Sequence, residues 1–580
     1  YRSNEFNGVA AYGGVNPGWN PVSLVAGDFN TFRSAAGEIT PLNNGGTGPG
    51  GVGVPDGSGT LELWLKADTG AYTDASCTTA AANGQDVACW GDQSGKGNHV
   101  TQSNSSYRPT YRTGSQNGQP ALQNQGSTLS GDVLYRATTA FTGDPAYSVF
   151  FAFNCTSSVM GDNLFAVGSP ATADSFAYHT HNPGGNRGLY HFNQGQVPGS
   201  RIYGWHINSH RYFARSGTDA YFHTDGSLVA STDFPALSIP NTDQVISIGG
   251  WSNRSDNPWG NEFTGYTGEA IFYTRALNDV ERILVENYLS AKYAVALTAD
   301  DVYDGDTAGN GDFDLNVAGI GQAGGVAHPQ AHAAGMIVRN ATFLQEDGDW
   351  LLFGHRTAAN ATVTTDLPTT GDWVGKTGSQ RMERHFYIDL TDASGVTGGT
   401  VDLIFDFSDA GLAPWNLVAG NYRLLKRSGT TGAFGDIATA SAVVGDQVHF
   451  YGVNVSLLGS NFTLGGVGEP TAVTLTRFAA TPAGDGVQVT WETAQELEHL
   501  GFNLYRGSGS TGPWVRLNAE LLPAQNPGAT SGAAYAWLDT GATPGAPSYY
   551  RLEDVDIHGV STFHGPVAAT PEGPAAISIV

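Results

Sequence analysis

What most constrains this chain is its punctuation. Short runs of aromatic and β-branched residues alternate with clusters of Gly, Asn, Asp and Pro along nearly the whole length. LELWL (61–65), YSVFFAFN (147–154), LFAVG (164–168), RIYGWHI (201–207) and QVISIGGW (244–251) are examples. Runs of this length and composition read as strands, and the clusters between them as turns. Strands without intervening helices fit an antiparallel sandwich or jelly roll, not a parallel βαβ sheet. The 79 glycines among 580 residues serve the turns, since no G-X-Y period is present.

One segment breaks the pattern. In ALNDVERILVENYLSAKYAV (276–295), Asn278 is placed to cap a helix and Glu281 to complete a capping box. Val280, Ile283, Leu284, Tyr288 and Leu289 follow at helical spacing. We expect an amphipathic helix packed against a sandwich edge.

Charge excludes several partners. The formal net charge is −26, from 27 basic and 53 acidic residues, with no basic run. Such a chain is repelled by nucleic acid and by anionic membrane surfaces. No apolar stretch is long enough to span a bilayer. The first residue is Tyr1, which suits a mature secreted protein after signal-peptide removal. Cys77 and Cys89 bracket a short loop, and their spacing permits either a disulfide or two free thiols; Cys155, in an apolar run, reads as a buried small hydrophobe.

The chain divides into five parts. Residues 1–56 form a Gly/Asn/Pro-rich arm, 57–297 a first sandwich, 298–468 a second sandwich opened by an Asp-rich loop, 469–571 a third, and 572–580 an apolar tail. The motifs LELWLKADTG, CWGDQSGKGNHVTQ, RPTY, GQPAL and GEAIFYTRALNDVERILVENYLSAKYAV make residues 57–297 resemble the bacterial laminin-G-like, concanavalin-like domains. The second sandwich is similar to the module that often follows such a domain, where a VAGIG segment recurs. Residues 469–571, with VQVTWETAQELEHLGFNLYRG and YYRLEDVDIHGVSTFHGPV, resemble a fibronectin type III-like module, with Trp491 and Tyr549/Tyr550 in the places of its core Trp and Tyr. These resemblances imply an all-β chain of tandem antiparallel sandwiches: a concanavalin-like jelly roll, a second β-sandwich and an immunoglobulin-like unit. They also imply a secreted or surface location.

Three kinds of chemistry are in view. Asp301, Asp304, Asp306, Asn310, Asp312 and Asp314 offer oxygen ligands to Ca²⁺, although the bidentate Glu of an EF-hand is missing and a solvated acidic linker is the plainer reading. Trp205, Trp251, Trp259 and Tyr266 are candidates for stacking on sugar faces; core or interface packing would use the same residues. His179, His181, His191, His206, His210 and His223 match no ligand spacing and read as strand packing. Gly319–Gly324 satisfies G-x-G-x-x-G but lacks a βαβ setting, so it is a turn.

For catalysis, the E-x-D-x-x-E carboxylate pattern of concanavalin-like glycosidases does not occur. The expectation is therefore a protein that is not an enzyme. The first reading is a secreted structural protein that polymerises with copies of itself into a filament, sheath or surface layer, by exchanging the arm at residues 1–50 between subunits. The alternative is a carbohydrate-binding adhesin or lectin, and a third reading is a polysaccharide hydrolase.

Overall fold

Alternating side-chain direction along each strand sets the architecture. In Tyr147–Cys155, residues Val149, Phe151, Phe153 and Cys155 point into one core, while Phe150 and Ala152 point to the opposite side and join another. A strand apolar on both faces must be covered on both, and here it is. The computed structural model describes residues 46–572 apart from short gaps, of which 126–130, 157–161, 169–174, 251–262 and 469–474 are the longest, and two two-residue strands within 1–45.

Among the described residues, the first sandwich pairs an eight-stranded sheet with a nine-stranded one. We label the strands of the eight-stranded sheet β1 (Leu61–Lys66), β2 (Thr110–Gln116), β3 (Gln119–Asn124), β4 (Tyr147–Cys155), β5 (Gly204–Tyr212), β6 (Ala220–Thr224), β7 (Ser227–Thr232) and β8 (Gly265–Tyr273). Their order is β7-β6-β5-β4-β8-β3-β2, with β1 also paired to β8, and every pairing is antiparallel. The two sheets face each other across an aromatic core in which Phe151 stacks on Tyr178 at 5.5 Å. Cys77 and Cys89 are joined by a disulfide with their Cα atoms 5.5 Å apart, and Cys155 is buried and outside the disulfide.

The second sandwich packs a nine-stranded sheet on a five-stranded one around Phe353, Phe386, Phe405 and Phe450. The third packs a three-stranded sheet on a five-stranded one. Its core holds Trp491, stacked on Tyr535, and Tyr550, whose hydroxyl donates to Asp539 Oδ2 at 2.9 Å. The fold is thus all-β, in tandem antiparallel sandwiches. No helix among the described residues is long and apolar enough to cross a membrane.

The long helix spans Asp279–Tyr293. Its capping box is formed: Glu281 N–H donates to Asn278 Oδ1 (3.0 Å) and Asn278 N–H to Glu281 Oε2 (3.1 Å). It stops at Ala294, whose left-handed φ of 47° ends the i→i−4 ladder. Its position departs from the edge packing expected above. The helix lies on the outer face of the eight-stranded sheet and beneath the second sandwich, so that Val280 through Tyr293 are all buried. A helix with this many charges can be buried because each charge has a partner. Arg282 pairs with Glu286 and Asp300, Arg275 with Glu281, and Lys292 with Glu269 and Asp68.

The end of the arm is held in its own chain. Residues 46–53 run between the two sandwiches. Gly50 forms a parallel bridge with Ala318, His332 N–H donates to the Gly46 carbonyl (2.8 Å), and the Tyr273 hydroxyl donates to the Val52 carbonyl (3.0 Å). Gly50 has φ +68°, and a Cβ there would meet the Leu284 carbonyl oxygen at 2.4 Å. Only glycine lets the chain pass so close to the helix.

Candidate functional site

The helix covers only part of the outer sheet face. Beyond its last residue, Tyr293, the face stays open, and strand register determines what lies there. Asn154 of β4 is paired with Trp205 of β5 on one side and Tyr266 of β8 on the other. Tyr266 is opposite Gln123 of β3, which is opposite Thr110 of β2. Directly opposed residues share a face. Trp205, Asn154, Tyr266, Gln123 and Thr110 therefore form one row, with Arg112 two residues on from Thr110 and on the same side. The odd partners of this row, Phe153, Leu122 and Tyr111, pack into the sandwich core.

Three residues of the row, Trp205, Asn154 and Tyr266, line a cavity of about 360 Å³ together with Arg112, Thr113 and Ser115. Tyr293 backs the Trp205 wall: its ring stacks on Trp205 with centroids 5.7 Å apart and planes 11° from parallel. Gly268 makes room for Tyr293, because a Cβ at that position would lie 2.5 Å from its ring. Behind this wall, Glu269 is fully buried and accepts from Trp64 Nε1 (2.6 Å), the Tyr288 hydroxyl (2.9 Å) and Lys292 Nζ (2.7 Å). Burial opposes charge on Lys292, but Glu269 and Asp68 together outweigh it and raise its pKa above the ordinary lysine value. Lys66, beside them, is pushed down by burial and by Lys292. The carboxylate is fully engaged in holding the wall.

The polar groups of the row are differently placed. Asn154, Trp205 and Tyr266 are half-buried, and their side chains have no hydrogen-bond partner among the described residues. The cavity thus presents two aromatic rings, an amide, an indole N–H and a phenol, all open to a ligand.

Of the four aromatic residues picked from the sequence, the structure brings Trp205 and Tyr266 together. Trp251 and Trp259 fall at 251–262, outside the described residues. Asn154 and Arg112 were missed. The available signal for Asn154 was its place as a polar residue on the outward side of an otherwise apolar strand.

The Asp-rich loop is arranged as an acidic cluster. The Asp304 N–H donates to Asp389 Oδ2 at 2.6 Å, bringing in a carboxylate from a strand of the second sandwich. Asp306 is pushed up to about 7 by burial and then by Asp301. Asp301 is raised by burial and by Asp304, and Asp314, raised by burial, accepts from Asn117 Nδ2 (2.7 Å). Asn310 donates its amide to the Asp304 carbonyl, and Asp312 sits at φ 56°. Among the described residues, three side chains with ligand atoms within 4.8 Å of one another occur at Glu346, Asp349 and Asp392, not in this loop. The buried carboxylate there, Asp349, already accepts from the backbone N–H groups of Gln345, Glu346 and Ala393. Two histidines of the first sandwich pack as rings, His191 on Phe234 at 4.1 Å and His210 on Phe222 at 4.4 Å, and His206 Nδ1 lies 2.6 Å from Asp225 Oδ2.

No protein-family model matches the chain, and no curated protein matches it. It is similar to solved structures at low identity. Domain 4 of AbnA, a GH43 extracellular arabinanase from Geobacillus stearothermophilus, is 14% identical with a TM-score of 0.26, over 39% of this chain and 97% of that one. A GH54 α-L-arabinofuranosidase is 13% identical with a TM-score of 0.30, over 60% and 81%. The CBM40 of the Ruminococcus gnavus IT-sialidase, solved with α2,3-sialyllactose, is 18% identical with a TM-score of 0.20, over 23% and 79%.

These similarities correct one expectation. The expectation that the chain is no enzyme rests on the absence of a linear carboxylate pattern. The similar structures include one domain of an arabinanase and an arabinofuranosidase, and the exclusion does not stand. The physical reason is general: the two carboxylates of a glycosidase need only lie close in space, and a sandwich can supply them from separate strands.

Proposed function

We propose that this is an extracellular multi-sandwich protein whose first sandwich binds glycans on its open outer face. One observation carries the reading: Trp205, Asn154 and Tyr266 stand side by side on three adjacent strands, line one cavity, and leave their polar groups unpartnered. A sugar presents an apolar C–H face and a rim of hydroxyls. Aromatic rings take the first, and amide, phenol and indole groups take the second. The stack on Tyr293 fixes the Trp205 ring, so little side-chain entropy is lost on binding.

The self-assembly reading is less well supported. Residues 46–50 belong to the segment favoured for exchange, yet they are bonded into their own chain between the sandwiches.

The test is a glycan array probed with the full chain, followed by the same array with Trp205→Ala and Tyr266→Ala. Binding that disappears in both variants while their melting temperature holds supports the reading. Binding that survives both would contradict it. Assaying each bound glycan for newly released reducing ends decides whether binding is coupled to cleavage.

A further inference from the structure

The cavity that holds the proposed glycan contains one formal charge. Arg112 lines it, and no acidic residue does. The Arg112 Nε–H donates to Gln123 Oε1 at 2.7 Å, which fixes the guanidinium beside the Tyr266 row. Its Nη groups have no partner among the described residues. Among the described residues, many of the other arginines are engaged. Arg211, Arg275, Arg282, Arg423 and Arg506 each lie within 3.1 Å of a carboxylate oxygen. Others are spent on backbone carbonyls, as Arg384 is on Ala334 and Ala358.

We infer that the cavity selects a saccharide carrying a carboxylate, a uronic-acid-type residue, with Arg112 as the group that receives it. The inference rests on the glycan reading above. A guanidinium held by its Nε presents its two Nη groups as a planar fork, which matches a carboxylate in two parallel hydrogen bonds. Trp205 and Tyr266 would take the ring faces, and Asn154 the neighbouring hydroxyls. The net charge of −26 works against a densely charged polymer and is tolerable for an oligosaccharide with one carboxylate at the site.

The experiment titrates the full chain with oligosaccharides that carry a single galacturonate, glucuronate or mannuronate residue, and with their carboxyl-reduced neutral counterparts, by calorimetry. The same titrations are run on Arg112→Gln, Arg112→Lys and Trp205→Ala, with melting temperatures as the folding control. At least one acid should bind about tenfold or more tightly than its reduced form, the ratio one charge-assisted hydrogen bond supplies. Arg112→Gln should abolish that preference, and Arg112→Lys should restore part of it. Equal binding of acid and reduced forms, or an acid preference that survives Arg112→Gln, overturns the inference. If neutral glycans bind through Trp205 without regard to charge, the glycan reading stands and the acid selection falls. If nothing binds, both fall.

Discussion

Lys292 Nζ lies 2.7 Å from Glu269 Oε2, and both side chains are almost entirely out of water. The pair joins the end of the long helix to the centre of the sheet, directly behind the Trp205–Tyr293 stack. Its consequence is mechanical: the aromatic wall of the open cavity rests on a buried ion pair.

Removing one partner should therefore be expensive. Lys292→Met leaves a fully buried carboxylate without its cation and should cost about 3–5 kcal/mol. Adding Glu269→Gln removes that stranded charge and should restore much of the loss. Urea denaturation of the two variants checks this. A single variant as stable as the parent would show that the pair carries no structural weight.

The arm's docking makes a second prediction. Gly50→Ala combines a positive φ with a Cβ 2.4 Å from the Leu284 carbonyl oxygen. It should loosen residues 46–53 and expose them to limited proteolysis, with a loss of roughly 1–3 kcal/mol. Gly97→Ala, also at positive φ but with open space around it, is the control and should leave that segment protected. Equal protection in both variants would contradict the tight passage.

Two sets of buried groups make stability depend on pH in opposite senses. Burial pushes His191 and His355 down to about 3 and His449 to about 4, below the 6.5 of an unfolded chain. Between those values the unfolded chain binds more protons, so the stability present above about 6.5 is lost as pH falls. Asp306 and Asp132 are pushed up to about 7, chiefly by burial, from 3.8. Their contribution is full below about 3.8 and is lost as pH rises through 7. Asp306→Asn should therefore melt roughly 2 °C or more above the parent at pH 8, and alongside it at pH 4. Scanning calorimetry across this range decides it. A variant less stable at pH 8 would mean that the charged Asp306 is held by something favourable.

Much of this architecture is legible in the chain itself, because each strand needs only its own alternation and its bounding turns. The capping box of Asn278 and Glu281 likewise lies within four consecutive residues. The helix's burial was not legible. Its charges read as a solvent face until Glu269, Asp68 and Ser209 arrive from distant segments to meet them. The same holds for the cavity. Trp205 and Tyr266 stand out by residue type, but Arg112 and Asn154 join them only through the pairing of β2, β3, β4, β5 and β8. By the same logic, scanning for one spacing does not test for a carboxylate pair drawn from separate strands.

The claim that matters most is that the open face of the first sandwich binds a sugar through Trp205 and its neighbours. The most direct measurement is calorimetric titration of the best array glycan into the parent chain, Trp205→Ala and Asn154→Ala, with melting temperatures recorded for all three. The account predicts affinity at least about tenfold weaker in each variant, with the melting temperature nearly unchanged. Affinity equal in all three proteins would place the glycan elsewhere and contradict the account.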